Sequence, residues 1–98
     1  MSGGVLDADE VIDLGGGRSL QPVTDSAGTV CGFIFRHPGC APQKPGDPPG
    51  GWVGIQPYEK TRPSWKVDQA TPLSLSPSIH CRACDDHGFV RNGQWVPA

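Results

Sequence analysis

The sequence is poor in charged and in apolar residues. Charged residues make up 18% of its 98 positions, against about 25% in an average domain. The hydrophobic residues make up 36%, against roughly 45–50% in an average domain. No apolar run approaches the ~18 residues that a membrane-spanning helix needs. No basic segment followed by an apolar one resembles a secretory signal. We therefore expect no membrane segment and no export by a signal peptide.

Glycine and proline are abundant instead, with 14 and 11 copies respectively. Together they reach the ~25–30% range in which chains stay disordered unless something constrains them. This composition excludes a helical bundle, a coiled coil and a doubly wound enzyme, and the length allows one domain. We expect an acidic, partly flexible N-terminal segment over residues 1–17 and a mostly β domain over residues 18–98.

Charge argues against binding to nucleic acid. The formal net charge is −2 and the isoelectric point is near 5.8. Proteins that neutralise ~6–10 phosphates carry a dense basic stripe, whereas the lysines and arginines of this sequence are scattered.

Several short segments have the pattern of β-strands. Thr29–Arg36 alternates so that Cys31, Phe33, Phe35 and His37 share one face, which predicts that Cys31 is a buried thiol. Asn92-Gly93 is the preferred type I′ turn pair, and it predicts a hairpin that pairs Val90 with Trp95 and Phe89 with Val96. The other predicted strands are Glu10–Leu14, Trp52–Ile55, Trp65–Val67 and an edge strand over Thr71–Ser76.

Four cysteines and three histidines are the candidates for a metal site. His37 and Cys40 are separated by two residues, as are Cys84 and His87. This spacing lets one tight turn aim two ligands at a single Zn²⁺. A structural zinc ion would also compensate for a small core.

Other assignments of these side chains stay open. Cys81 and Cys84 form a C-x-x-C pair that could join His37 and Cys40, or Cys31 and Cys40. His80 is a further candidate, and the cysteines could instead form two disulfides, which are rare in a reducing compartment. Cys84 belongs to both C-terminal alternatives.

The ordered motifs resemble a small bacteriophage family of unknown function whose members are often labelled ammonia monooxygenase. The resemblance rests on Phe35–Cys40, on Trp65, on the stretch Pro72–Ile79, which contains Ser-Pro-Ser-Ile, and on Cys84–Gly93. It implies a zinc-ribbon-like domain of short antiparallel strands and long loops rich in proline and glycine. It also implies one structural Zn²⁺ bound by His37, Cys40, Cys84 and His87, with histidine at position 37 where a cysteine is usual.

The expected function is a non-catalytic, zinc-stabilised phage accessory or virion-associated module that binds another protein, in the host cytoplasm or the virion. Four protein ligands would leave no open coordination position for a substrate. One alternative is a small zinc metalloenzyme with an open position and Asp85, Asp86 or Glu59 as general base. Others are a host-directed inhibitor that binds nucleic acid or protein, and thiol–disulfide chemistry at Cys81 and Cys84. Neither the partner's identity nor the oligomeric state follows from the sequence.

Overall fold

A computed structural model describes residues 6–37, 51–60, 63–81 and 85–98. These ranges contain nine β-strands and no helix, which confirms the prediction of a mostly β protein. The strands are β1 (Ile12–Gly15), β2 (Arg18–Thr24), β3 (Val30–Arg36), β4 (Gly51–Ile55), β5 (Ser64–Gln69), β6 (Ser74–Ser76), β7 (Ile79–Cys81), β8 (Asp86–Arg91) and β9 (Gln94–Pro97).

The first six strands form one sheet in chain order, β1-β2-β3-β4-β5-β6. Neighbouring strands are antiparallel, except that β4 and β5 are parallel. Pro22 is tolerated inside β2 because the pairing with β1 ends at Leu20, so Pro22 is paired with β3 alone. Proline lacks the backbone N–H that a strand with partners on both sides would use.

The last three strands form a second, antiparallel sheet in the order β7-β8-β9. The hairpin between β8 and β9 turns at Asn92 and Gly93, which both have positive φ, 50° and 73°. Its register pairs Val90 with Trp95 and Phe89 with Val96. The predicted hairpin is therefore confirmed, including its register.

The two sheets curl around one core, because β6 lies against β8 and β1 lies against β9. Phe33 and Phe35 of β3 are the largest buried side chains, and Trp95 of β9 stacks on Phe35 with a centroid distance of 5.2 Å. The remaining buried apolar side chains come from both sheets: Leu14, Leu20, Val30, Val53, Ile55, Leu73, Leu75, Ile79 and Val90. Leu6 and Ile12, within the predicted flexible segment, also pack against this core.

The predicted strand bounds differ from the observed ones at several places. Residues 71–73 form a turn, so the edge strand is shorter than predicted, and β5 extends beyond Trp65–Val67. The strands β2 and β7 were not predicted at all. Cys31 is half-buried, and its Sγ lies 3.5 Å from the carbonyl oxygen of Val23. Among the described residues, no helix is long and apolar enough to cross a membrane.

Candidate functional site

A serine hydroxyl and a histidine ring are hydrogen-bonded on the outer face of the three-stranded sheet. Ser78 lies in the short link between β6 and β7, and His87 follows Asp86 at the start of β8. The Oγ atom of Ser78 is 2.9 Å from Nε2 of His87. At this distance a neutral imidazole can accept the hydroxyl proton, which is the arrangement of an activated serine nucleophile.

Strand alternation places both side chains on the same face. Successive side chains of a strand point to opposite faces, and Gly88 and Val90 of β8 face the core, so His87 points outward. Ile79 of β7 is buried and pairs with Gly88. Its neighbour Ser78 is therefore directed to the outer face, where the His87 ring is exposed.

The backbone on both sides of the pair is anchored. The indole Nε1 of Trp65, on β5, donates a hydrogen bond of 3.2 Å to the carbonyl oxygen of Ser78. The backbone N–H of Ala98 donates one of 3.1 Å to the carbonyl oxygen of His87. These bonds fix the peptide units from which the hydroxyl and the ring project.

A partly open cavity of about 340 Å³ lies between β6 and β8, beside the pair. Ser76 and Pro77, which directly precede Ser78, line it together with Phe89, which lies two residues beyond His87. The guanidinium of Arg91 lies 4.6 Å from the centroid of the Phe89 ring. The cavity is thus lined by an aromatic ring and by the cation that packs against it.

Asp86 connects the site to the six-stranded sheet. Arg18 of β2 donates two hydrogen bonds of 2.8 Å to the two carboxylate oxygens of Asp86. These hydrogen bonds, assisted by the positive charges of Arg18 and His37, hold the pKa of Asp86 below its ordinary value, although partial burial raises it. Asp86 is therefore a charged anchor, and its carboxylate is occupied by Arg18.

The predicted zinc ligands are only partly within the described residues, since Cys40 and Cys84 lie outside them. His37 is 8% exposed and stacks on Phe35 with a centroid distance of 4.5 Å. It lies close enough to Asp86 for its charge to act on that carboxylate, whereas His87 projects from the opposite face of β8. Among the described residues, no three histidine, cysteine or acidic side chains form a cluster suited to a metal ion. The four-ligand zinc site stays a prediction.

The other candidate residues have structural contacts of their own. His80 pairs with His87 across the ladder, and its Nε2 lies 2.6 Å from a carboxylate oxygen of Asp85. Glu59, one of the predicted general bases, accepts a hydrogen bond of 2.6 Å from the indole of Trp52. Cys81 ends β7, and its predicted partner Cys84 lies outside the described residues.

A family model described as the bacterial ubiquitination-like system serine protease (BubE) matches residues 50–98, half of the chain. The chain belongs to the BubE family. The match covers β4 to β9, and so includes both Ser78 and His87. Neither a curated protein nor a solved structure matches the chain.

The family match corrects the predictions of identity and function. The resemblance to a phage zinc-ribbon family was wrong, because the matching family is BubE. The expected non-catalytic phage or virion module was also wrong, since BubE is described as a serine protease and hence as an enzyme. The prediction that the protein is not an enzyme is therefore corrected by the family match.

Ser78 is the candidate functional residue that the sequence reasoning missed. It stands in the Ser-Pro-Ser-Ile stretch, which contributed to the resemblance but received no chemical role. The only signal in the sequence was a serine nine positions before a histidine. The pairing of β7 with β8, which brings the two BubE side chains together, was not predicted.

Proposed function

We propose that this BubE chain is a serine protease in which Ser78 is the nucleophile and His87 the general base. The observation that carries the proposal is the 2.9 Å hydrogen bond between Ser78 Oγ and His87 Nε2. The description of the family as the serine protease of a bacterial ubiquitination-like system supports the same assignment. We further propose that the substrate is a protein of such a system.

The geometry supports a two-step acyl transfer. Ser78 Oγ attacks the carbonyl carbon of the scissile bond while His87 Nε2 accepts the hydroxyl proton, and His87 then donates that proton to the leaving amine. Water hydrolyses the resulting acyl-enzyme. His87 removes a proton from that water, and the serine hydroxyl is restored as the acid product leaves.

The surroundings of the pair suit a protein substrate. His87 is exposed on the outer face of a sheet, where the chain of a folded partner can reach it. Trp65 and Ala98 hold the two backbone carbonyls, so the hydroxyl and ring are positioned before the substrate arrives. Pre-organisation of this kind lowers the entropic cost of reaching the transition state.

A fluorophosphonate probe tests the proposal without knowledge of the substrate. The Ser78 oxygen would form a bond to phosphorus, fluoride would leave, and the hydroxyl proton would pass to His87. We expect wild-type protein to be labelled at Ser78, as mapped by peptide mass spectrometry, and Ser78→Ala to be unlabelled. Because general-base assistance contributes about 10²–10⁴-fold in rate, His87→Gln should be labelled slower by a factor in that range.

Ser19→Ala provides a matched control, since Ser19 is another half-buried serine, on β2 of the six-stranded sheet and outside the cavity beside Ser78. It should be labelled at the wild-type rate. Labelling of wild-type protein at a residue other than Ser78, or a His87→Gln variant that reacts as fast as wild type, would refute the assigned roles.

A further inference from the structure

The base of the proposed pair has a second imidazole beside it. His80 of β7 is the direct cross-strand partner of His87. The two ring centroids are 4.8 Å apart, and the ring planes are inclined by 35°. The His80 ring therefore packs against the His87 ring, while Nε2 of His87 is hydrogen-bonded to Ser78.

A second contact fixes the His80 ring itself. Its Nε2 lies 2.6 Å from Oδ1 of Asp85, in the turn that joins β7 to β8. Asp85 has a φ of 62°, and its backbone N–H donates a hydrogen bond to the carbonyl oxygen of Cys81. The turn thus holds the backbone from which the carboxylate projects, while the side chain itself is 90% exposed.

Ring orientation matters because the last torsion of a histidine side chain has a broad energy profile. A general base must keep its acceptor nitrogen aimed at the hydroxyl, and in serine proteases a carboxylate bonded to the second ring nitrogen commonly does this. Among the described residues, no carboxylate is hydrogen-bonded to the His87 ring. The nearest equivalent is the His80 ring, which packs against the His87 ring at a tilt of 35° and is hydrogen-bonded to Asp85.

We infer that His80 is a positioning residue for His87 and that Asp85 holds the His80 ring in place. The inference rests on the proposed function, in which His87 is the general base. In this arrangement neither His80 nor Asp85 touches the substrate. Packing between the two rings restricts rotation of the His87 imidazole, so that Nε2 stays within reach of the Ser78 proton.

The test is the kinetics of fluorophosphonate labelling at Ser78, separated into the maximal rate of inactivation and the probe concentration for half-maximal rate. For histidines that bind a metal, loss of an orienting partner typically lowers activity by about 10- to 100-fold, and we expect a loss of similar size in the maximal rate of His80→Ala. The half-maximal concentration should stay at its wild-type value, because His80 does not bind the probe. His80→Phe keeps an aromatic ring against His87 and should recover part of the rate.

Asp85→Ala should react at a rate between wild type and His80→Ala, since it loosens the ring without removing it. Gln94→Ala, on exposed β9 of the same sheet, is the control and should match wild type. Far-UV circular dichroism and the thermal midpoint establish that each variant is folded.

Three results would overturn the positioning role: a wild-type maximal rate in His80→Ala, a His80→Phe variant as slow as His80→Ala, or an Asp85→Ala variant slower than His80→Ala. The proposed function fails separately, if wild-type protein is not labelled at Ser78.

Discussion

Arg18 and Asp86 join the two sheets immediately beside the proposed general base. The guanidinium of Arg18, on β2, holds both carboxylate oxygens of Asp86, and Asp86 directly precedes His87 on β8. The same guanidinium lies 5.0 Å from the ring centroid of Trp95 on β9. A single arginine of the six-stranded sheet thus contacts two strands of the sheet that carries the site.

This ion pair predicts a specific dependence of stability on pH. The pKa of Asp86 is lowered in the folded protein from its ordinary 3.8, so the pair stabilises the fold above about pH 4 and that contribution is lost as pH falls through the lowered pKa. Asp86→Asn should reduce the free energy of unfolding at pH 7 by about 1.5–3 kcal/mol, the range for hydrogen bonds to charged groups. The difference between the two proteins should shrink below pH 4.

Urea unfolding from pH 7 to pH 2 measures that difference directly. Asp68→Asn is the control, because Asp68 is an exposed carboxylate 4.0 Å from Lys66, and such pairs contribute little. If the free energies of unfolding of wild type and Asp86→Asn differed by the same amount at every pH, the prediction would be contradicted.

Gly88 is predicted to tolerate no side chain. A Cβ atom at this position would lie 2.5 Å from two ring atoms of Trp95 and 2.7 Å from the carbonyl oxygen of Val96. Because backbone as well as side chain must shift, we expect Gly88→Ala to lower the free energy of unfolding by about 1–3 kcal/mol, as overpacked cores do. Chemical denaturation measures this loss of stability. Gly51→Ala is the control, since no atom lies within 4 Å of a Cβ built at Gly51. Equal stability of the two variants would show that Trp95 can move aside.

Trp65 is predicted to support the reactivity of Ser78. Trp65→Phe keeps an aromatic ring but removes the N–H that donates to the Ser78 carbonyl, and a hydrogen bond of this kind contributes about 0.5–1.5 kcal/mol. We expect a loss of stability of that size together with slower fluorophosphonate labelling. Trp52→Phe is matched to it, because Trp52 donates to Glu59 instead. It should lose stability and keep the wild-type labelling rate; slower labelling in both variants would mean that the effect is not specific to Ser78.

The predicted zinc site can be tested by metal analysis of purified protein. If His37, Cys40, Cys84 and His87 bind one zinc ion, in competition with the general-base role proposed for His87, wild-type protein should contain one equivalent, and Cys84→Ser should lose it because the ligand set becomes incomplete. Cys31→Ser should retain the metal, since Cys31 lies outside the predicted set. Metal-free wild-type protein with an unchanged circular dichroism spectrum would rule out a structural zinc ion.

The sequence predicted the parts of the fold that short-range chemistry determines. Asn92-Gly93 specifies a type I′ turn, and that turn determines the register of the strands beside it. The alternation of Phe33 and Phe35 identified the buried face of β3. These signals are local, and each can be interpreted within a few residues.

Long-range pairing was not predictable in the same way. The strand β2 contains Pro22 and mixes polar with apolar residues, so its central position between β1 and β3 is set by tertiary contacts. The site was missed for a related reason: Cys84 and His87 have metal-ligand spacing, which is visible in one sequence. The partnership of Ser78 with His87 exists only once β7 is laid against β8.

The position of Ser78 and His87 on an outer sheet face bears on which substrates the proposed protease would accept. In the described part of the chain, the neighbouring cavity is partly open to solvent, and the His87 ring is exposed. Discrimination between substrates would then depend on shape complementarity between this surface and the surface of the substrate protein. Short peptides, which lack such a surface, should be poor substrates even where their sequence matches the natural cleavage point.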